Sequence, residues 1–150
     1  MAADRRYVQE NDTERARLEA FVARCTDADL ERPVPGGWTV AGTLAHLAFW
    51  DERVRLLFER WQREGVAPAD ENEADIDWIN DSAKPMFLAL SPRRAADLAV
   101  SIARAADRTV QGLSDEMLAR NAASGAPLNV VRAVHRREHL QELEQVLGRR

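Results

Sequence analysis

Apolar residues recur at spacings of three and four along nearly the whole 150-residue chain, and no stretch shows sustained alternation with β-branched residues and hairpin turns. Such a pattern hides its apolar surface by packing helix against helix, so the expected fold class is all-α. The length suits one domain, residues 1–150. With 45% hydrophobic and 31% charged residues the composition is that of a soluble globule, and no apolar run approaches the length needed to cross a membrane. The first residues, MAADRRYVQEND, are too charged for the hydrophobic part of a secretory signal. A cytoplasmic location is expected.

Four principal helices can be placed. The first runs from about Asp12 to Cys25, with Leu18, Phe21, Val22 and Cys25 inward, and stops at the Pro- and Gly-rich DLERPVPGG. The second starts after Trp38, with Thr39 as its cap, and ends at Glu64 before Gly65. Its inner stripe is Leu44, Leu47, Val54, Leu57 and Trp61, with Trp50 and Phe58 on the flanks. The third opens with Ser91 as cap and Pro92 in the first turn, carrying Leu98, Ile102 and Ala105 inward to about Gly112. The fourth starts near Asn129, behind Pro127, and continues to Leu147 before Gly148.

Between the second and third helices lies a long connection holding the acidic run ADENEADID and a short helical piece around Trp78 and Ile79, broken by Pro85. Antiparallel neighbours in a bundle need only short loops, so this length implies a crossover that leaves those two helices parallel. A weak repeat is also visible. Thr26-Asp27-x-x-Leu30-x-Arg32 recurs as Ser114-Asp115-x-x-Leu118-x-Arg120, and each copy is followed by a histidine, His46 or His135, at nearly the same depth of the next helix.

Histidine carries the strongest chemical signal. The chain has 3 histidines, and two of them, His135 and His139, are four apart in HRREH, so both imidazoles leave one helix face. Val131 and Val146 end the same column, which turns its middle towards the bundle interior or a cleft into it. His46 lies in an apolar stretch of the second helix, which a bundle can set opposite. Three neutral imidazoles suit zinc, nickel or a related divalent ion and leave coordination positions open for water, a thiolate or a carbonyl. No phosphate loop, GxSxG, HExxH or cysteine beside a histidine offers competing chemistry. Trp50 and Asn80 are candidate pocket residues. Glu142, on the histidine column, is a candidate for orienting an imidazole.

The remaining features exclude more than they propose. Cys25 is the only cysteine, so there is no internal disulfide and no sulfur-rich zinc site, and its apolar neighbours mark it as a buried thiol. A net charge of -4 argues against a nucleic-acid partner. Arg136 and Arg137 could hold a substrate carboxylate, but read better as a solvated helix face.

PGGWTVAGTLAHLAFWDERV, LSDEMLAR, APLNVVRAVHRREHLQEL and ADIDWIN together resemble the DinB-like superfamily, which includes the mycothiol-dependent maleylpyruvate isomerases and related thiol S-transferases. The resemblance spans Asp12 to Leu147. It implies a four-helix bundle of up-down-down-up type with a long crossover between helices two and three. It also implies a divalent metal, often zinc or nickel, on His46, His135 and His139, and a homodimer in several members. Because the chain ends soon after Leu147, the extra C-terminal domain of the isomerase-type members is expected to be absent. That favours a stand-alone transferase or hydrolase.

The expected function is therefore a metal-dependent enzyme, a low-molecular-weight-thiol S-transferase or hydrolase acting on a small electrophile. A bound thiolate or hydroxide would attack, and no side chain is assigned as general base. The alternative is a non-catalytic metal- or ligand-binding stress protein.

Overall fold

The structure is a computed structural model and describes residues 2–69 and 72–148. Of the acidic run 69–77, Asp70 and Glu71 lie outside the described residues, as do Met1, Arg149 and Arg150 at the ends of the expected domain. The described chain is mostly helical: α1 Arg6–Arg24, α2 Asp27–Glu31, α3 Val40–Glu64, α4 Glu73–Ala89, α5 Pro92–Gln111, α6 Asp115–Ala123 and α7 Ala133–Val146. A hairpin of β1 Pro33–Val34 and β2 Trp38–Thr39 is the one departure from helix among these elements.

α1 begins at Arg6, earlier than the Asp12 expected from periodicity. Tyr7 accounts for the extension, because its buried ring joins the core and its hydroxyl donates to the Val110 carbonyl at 2.6 Å. The loop expected after Cys25 contains α2, closed by a reciprocal capping box between Thr26 and Asp29. The hairpin follows, pairing Pro33 with Thr39 and Val34 with Trp38. Its turn requires Gly36 and Gly37, whose φ values are 84° and 78°. Ser114 caps α6 as Thr26 caps α2, so both copies of the repeated motif begin a short helix.

α3 has the expected limits. The Thr39 hydroxyl accepts from the Gly42 amide at 2.9 Å, and Gly65 ends the helix in the left-handed conformation. Phe58, expected on the flank, is fully buried, while Leu57 is only partly so. α4 is a correction to the short helical piece: it runs unbroken through Pro85. None of its residues is buried, so the carbonyl that loses its intrahelical partner at Pro85 can turn to water. In α5 the inward stripe is also rotated from the expected Leu98, Ile102 and Ala105. The buried apolar residues are Ala95, Ala96, Ala99, Ala103, Ala106 and Val110. Small side chains let α5 approach α3, its most extensive partner, and leave Leu98 and Ile102 half-buried at the edge. Ser91 precedes α5 but makes no side-chain cap.

α7 begins at Ala133, later than the expected Asn129. The Asn129 carboxamide instead accepts from the Val131 amide in a local turn. The free helix amide of Ala133 is taken by Asn11 of α1, which accepts from it at 3.0 Å and donates to the Val130 carbonyl at 2.9 Å. A buried cap from another helix thus sets where α7 starts.

α1 packs on α5 and α7, and α3 packs on α5, α7 and α4. Two apolar clusters hold these helices. One joins Leu18 and Phe21 to Leu44, Leu47, Ala99, Leu140 and Leu143; the other joins Tyr7 to Val54, Phe58, Trp61, Val110 and Met117. Each fully buried leucine or phenylalanine contributes about 1.5–3 kcal/mol of apolar transfer. Along α3, α5 and α7 the charged residues Asp51, Asp107 and Arg136 fall between the two clusters.

Candidate metal centre

His46 stands two turns into α3, whose start is held by the Thr39 cap and the hairpin. His135 and His139 stand on α7, whose start is held by Asn11. The two helices set the three imidazoles in a nearly equilateral triangle, with ring centroids 5.0 Å apart for His46–His135, 4.9 Å for His46–His139 and 4.8 Å for His135–His139. Their ligand atoms all lie within 4.8 Å of one another, and the Nε2 atoms of His46 and His135 face each other at 3.1 Å. His46 is only 8% exposed, and its Nδ1 is buried without a hydrogen-bond partner. Among the described residues no cysteine or carboxylate joins the group.

Burial keeps these rings neutral. It pushes His46 down to about 4, assisted by His139, and His135 down to about 3, assisted by His139, His46 and the nearby arginines. His139 is also lowered by burial, against the opposing charges of Glu142 and Glu138. At neutral pH each ring is therefore uncharged and keeps one nitrogen lone pair beside its one N–H. Zinc–imidazole bonds of about 2.1 Å separate two ligand nitrogens by roughly 3.4 Å at a tetrahedral angle, close to the His46–His135 spacing. The donor set and its unspent hydrogen-bonding capacity are compatible with a metal site.

A cleft of about 530 Å³ opens over His46 and His139, walled by Trp38, Thr43, Asn80 and Glu142, with Asp77 and Asp81 at its mouth. Trp38 meets the His46 ring edge-on at 5.7 Å. The structure places Asn80 in the wall. Trp50 stands behind it and donates from Nε1 to the Asn80 carboxamide oxygen at 2.8 Å, tying α4 to α3. Glu142 is exposed beside His139; it acts on that ring through its charge, without a described hydrogen bond.

Arg136 corrects the expectation of a solvated face. It is 0% exposed, the largest fully buried side chain described, and donates to both Asp51 and Asp107. Arg132 donates to Asp51 at 2.8 Å and Arg15 to Asp107 at 2.6 Å. Burial works against the Arg136 charge, but the two carboxylates hold its proton affinity above the usual value. Arg137 is half-buried and pairs with Glu14 at 3.0 Å. A signal for this layer existed. Asp51 interrupts the stripe Leu44–Leu47–Val54–Phe58, Asp107 follows the buried Ala103 and Ala106, and Arg136 interrupts Ala133–Leu140–Leu143. The cleft residues Trp38, Asp77 and Asp81 had no comparable signal, because the hairpin and α4 bring them there, whereas Thr43 precedes His46 by three residues on α3.

The fold and site define a mostly helical protein with a three-histidine cluster compatible with a metal ion. Residues 10–143 match the family model of the DinB superfamily, and the chain belongs to that superfamily. No curated protein and no solved structure matches it. Among the described residues no helix is long and apolar enough to cross a membrane.

Proposed function

We propose that the protein is a metal-dependent enzyme, a low-molecular-weight-thiol S-transferase or hydrolase that acts on a small electrophile. His46, His135 and His139 hold one divalent ion, zinc or nickel. The carrying observation is the convergence of three imidazoles from two helices, two of which, His46 and His139, line a cleft. An ion held there supplies the Lewis acidity that makes a thiolate or hydroxide available near neutral pH. Asn80 and Trp38 border the space for the small-molecule substrate, Trp50 holds Asn80 in place, and Glu142 lies beside His139, whose proton affinity its charge raises. The side chains of α3, α4 and α7 limit water at the cluster, and a set of only three protein ligands leaves room for a reactant, unlike a closed structural site.

The same reading takes the chain as one domain whose four core-forming helices α1, α3, α5 and α7 run up-down-down-up. It is supported by contacts that join the start of α1 to the end of α5 (Tyr7–Val110), the start of α1 to the start of α7 (Asn11–Ala133), and, through Arg32, the start of α3 to the end of α7 (Val40–Arg32–Val146). A homodimer belongs to the proposal too. Its support is the apolar groove of Phe49, Leu56, Phe87, Leu98 and Ile102 between α3, α5 and the end of α4, and sedimentation equilibrium tests it.

The metal content of untagged protein purified without chelator tests the main proposal, beside His135→Ala/His139→Ala. One divalent ion per chain, lost in a variant that keeps its circular dichroism, is the expected result. Native protein that carries no ion and takes up neither zinc nor nickel would remove the mechanism.

A further inference from the structure

Several acids of this protein are paired with arginine, as Glu14 and Glu144 are with Arg17, Glu19 with Arg104 and Glu52 with Arg55. The cleft over His46 and His139 gathers three carboxylates, Asp77, Asp81 and Glu142, and no lysine or arginine lines it. None of these three carboxylates has a hydrogen bond or ion pair with a described residue. Lys84, near the same rim, is already engaged: it donates to the Gly36 carbonyl at 2.6 Å and lies 5.0 Å from the Trp38 ring centroid. The binding character of the cleft comes independently from the histidines, above all from His46, buried with Nδ1 unpartnered.

We infer that this cleft selects a small co-substrate whose end remote from the histidines carries an ammonium or guanidinium group. The inference rests on the metal-enzyme reading above and adds the charge class of the molecule that enters. A nucleophilic end meets the histidine cluster, and a cationic end lies among Asp77, Asp81 and Glu142. A ligand with a carboxylate at that end meets three negative charges, against one cation at the rim, Lys84, which is held on the Gly36 carbonyl. The volume of about 530 Å³ suits a molecule of this size.

The test uses the full chain loaded with Co²⁺, whose absorption reports both uptake of the ion and addition of a thiolate. Cysteamine and 3-mercaptopropionate are titrated separately into wild type and into Asp77→Asn/Asp81→Asn/Glu142→Gln. Dividing each variant affinity by the wild-type value cancels the intrinsic difference between the two thiols. The expected result is that the variant loses about tenfold in preference for cysteamine over 3-mercaptopropionate, an effect that shrinks in high salt. Equal ratios for the two thiols, with Co²⁺ bound, would overturn the inference and leave the metal reading standing. Co²⁺ bound with neither thiol adding overturns it together with the thiol chemistry. Failure of wild type to take up Co²⁺ removes the three-histidine reading itself, and the inference falls with it.

Discussion

The Asp51–Asp107–Arg132–Arg136 layer and the histidine triangle share two helices, α3 and α7, with α5 adding Asp107 to the layer, yet they spend their polar groups in opposite ways. In the first, two carboxylates are shared among Arg15, Arg132 and Arg136, and the buried charges are matched. In the second, neutral rings face one another, Nε2 to Nε2, and His46 keeps a buried nitrogen with no partner. A closed network ties helices together. A buried cluster with donor capacity left over is suited to something the chain does not itself supply. Neighbouring positions on one helix, His135 and Arg136, thus face different tasks because they leave α7 on different sides.

The largest effect should come from opening the closed layer. Asp51→Ala leaves the Arg136 guanidinium short of a partner in the interior, and we expect about 3–5 kcal/mol of lost stability in urea denaturation. A loss below about 1 kcal/mol would mean that the layer is as tolerant as the histidine cluster, and the contrast would vanish. Zinc should act on the other cluster alone. At a hundredfold excess over its dissociation constant it should stabilise wild type by about 2.7 kcal/mol, seen as a higher Tm, and leave His135→Ala/His139→Ala unmoved. An equal shift in both proteins would place the ion elsewhere.

Two smaller effects sharpen the comparison. Without metal, His135→Ala should cost no more than about 1.5 kcal/mol, since it removes a ring from a cluster whose hydrogen bonding is incomplete. A loss as large as that of Asp51→Ala would show that the triangle is itself a structural network. Trp50→Phe removes the indole donor to Asn80 and should cost about 0.5–1.5 kcal/mol, with cobalt uptake retained. Loss of ion binding in that variant, with the fold intact, would make the α3–α4 tie part of the site.

The difference between the clusters also explains how much could be read in advance. HRREH and His46 were legible because an i, i+4 pair on a helix declares its own face, and the apolar context of His46 declares its depth. Arg136 was misread as solvated, although it sits where an apolar residue would continue the stripe through Ala133 and Leu140. A charge in an inner stripe can be matched only by charges from other helices, and those partners, Asp51 and Asp107, are remote in sequence. Asp77, Asp81 and Trp38 were missed for a related reason. Their elements carry no strong apolar stripe of their own, and α4 has no buried residue from which its orientation could be deduced.

The sequence by itself determined the helical class, the limits of α3 and the three metal-ligand candidates, because periodicity, capping and the i, i+4 relation act over a few residues. Tertiary structure alone decided where α7 begins, since its cap is Asn11 from α1. It also set the rotation of α5 onto its alanines, the continuity of α4 through Pro85, and the partners of Arg136. Each depends on what the folded molecule sets around a free amide, a small side chain, an unpaired carbonyl or a buried charge: residues far away along the chain, or, for the carbonyl freed at Pro85, open solvent.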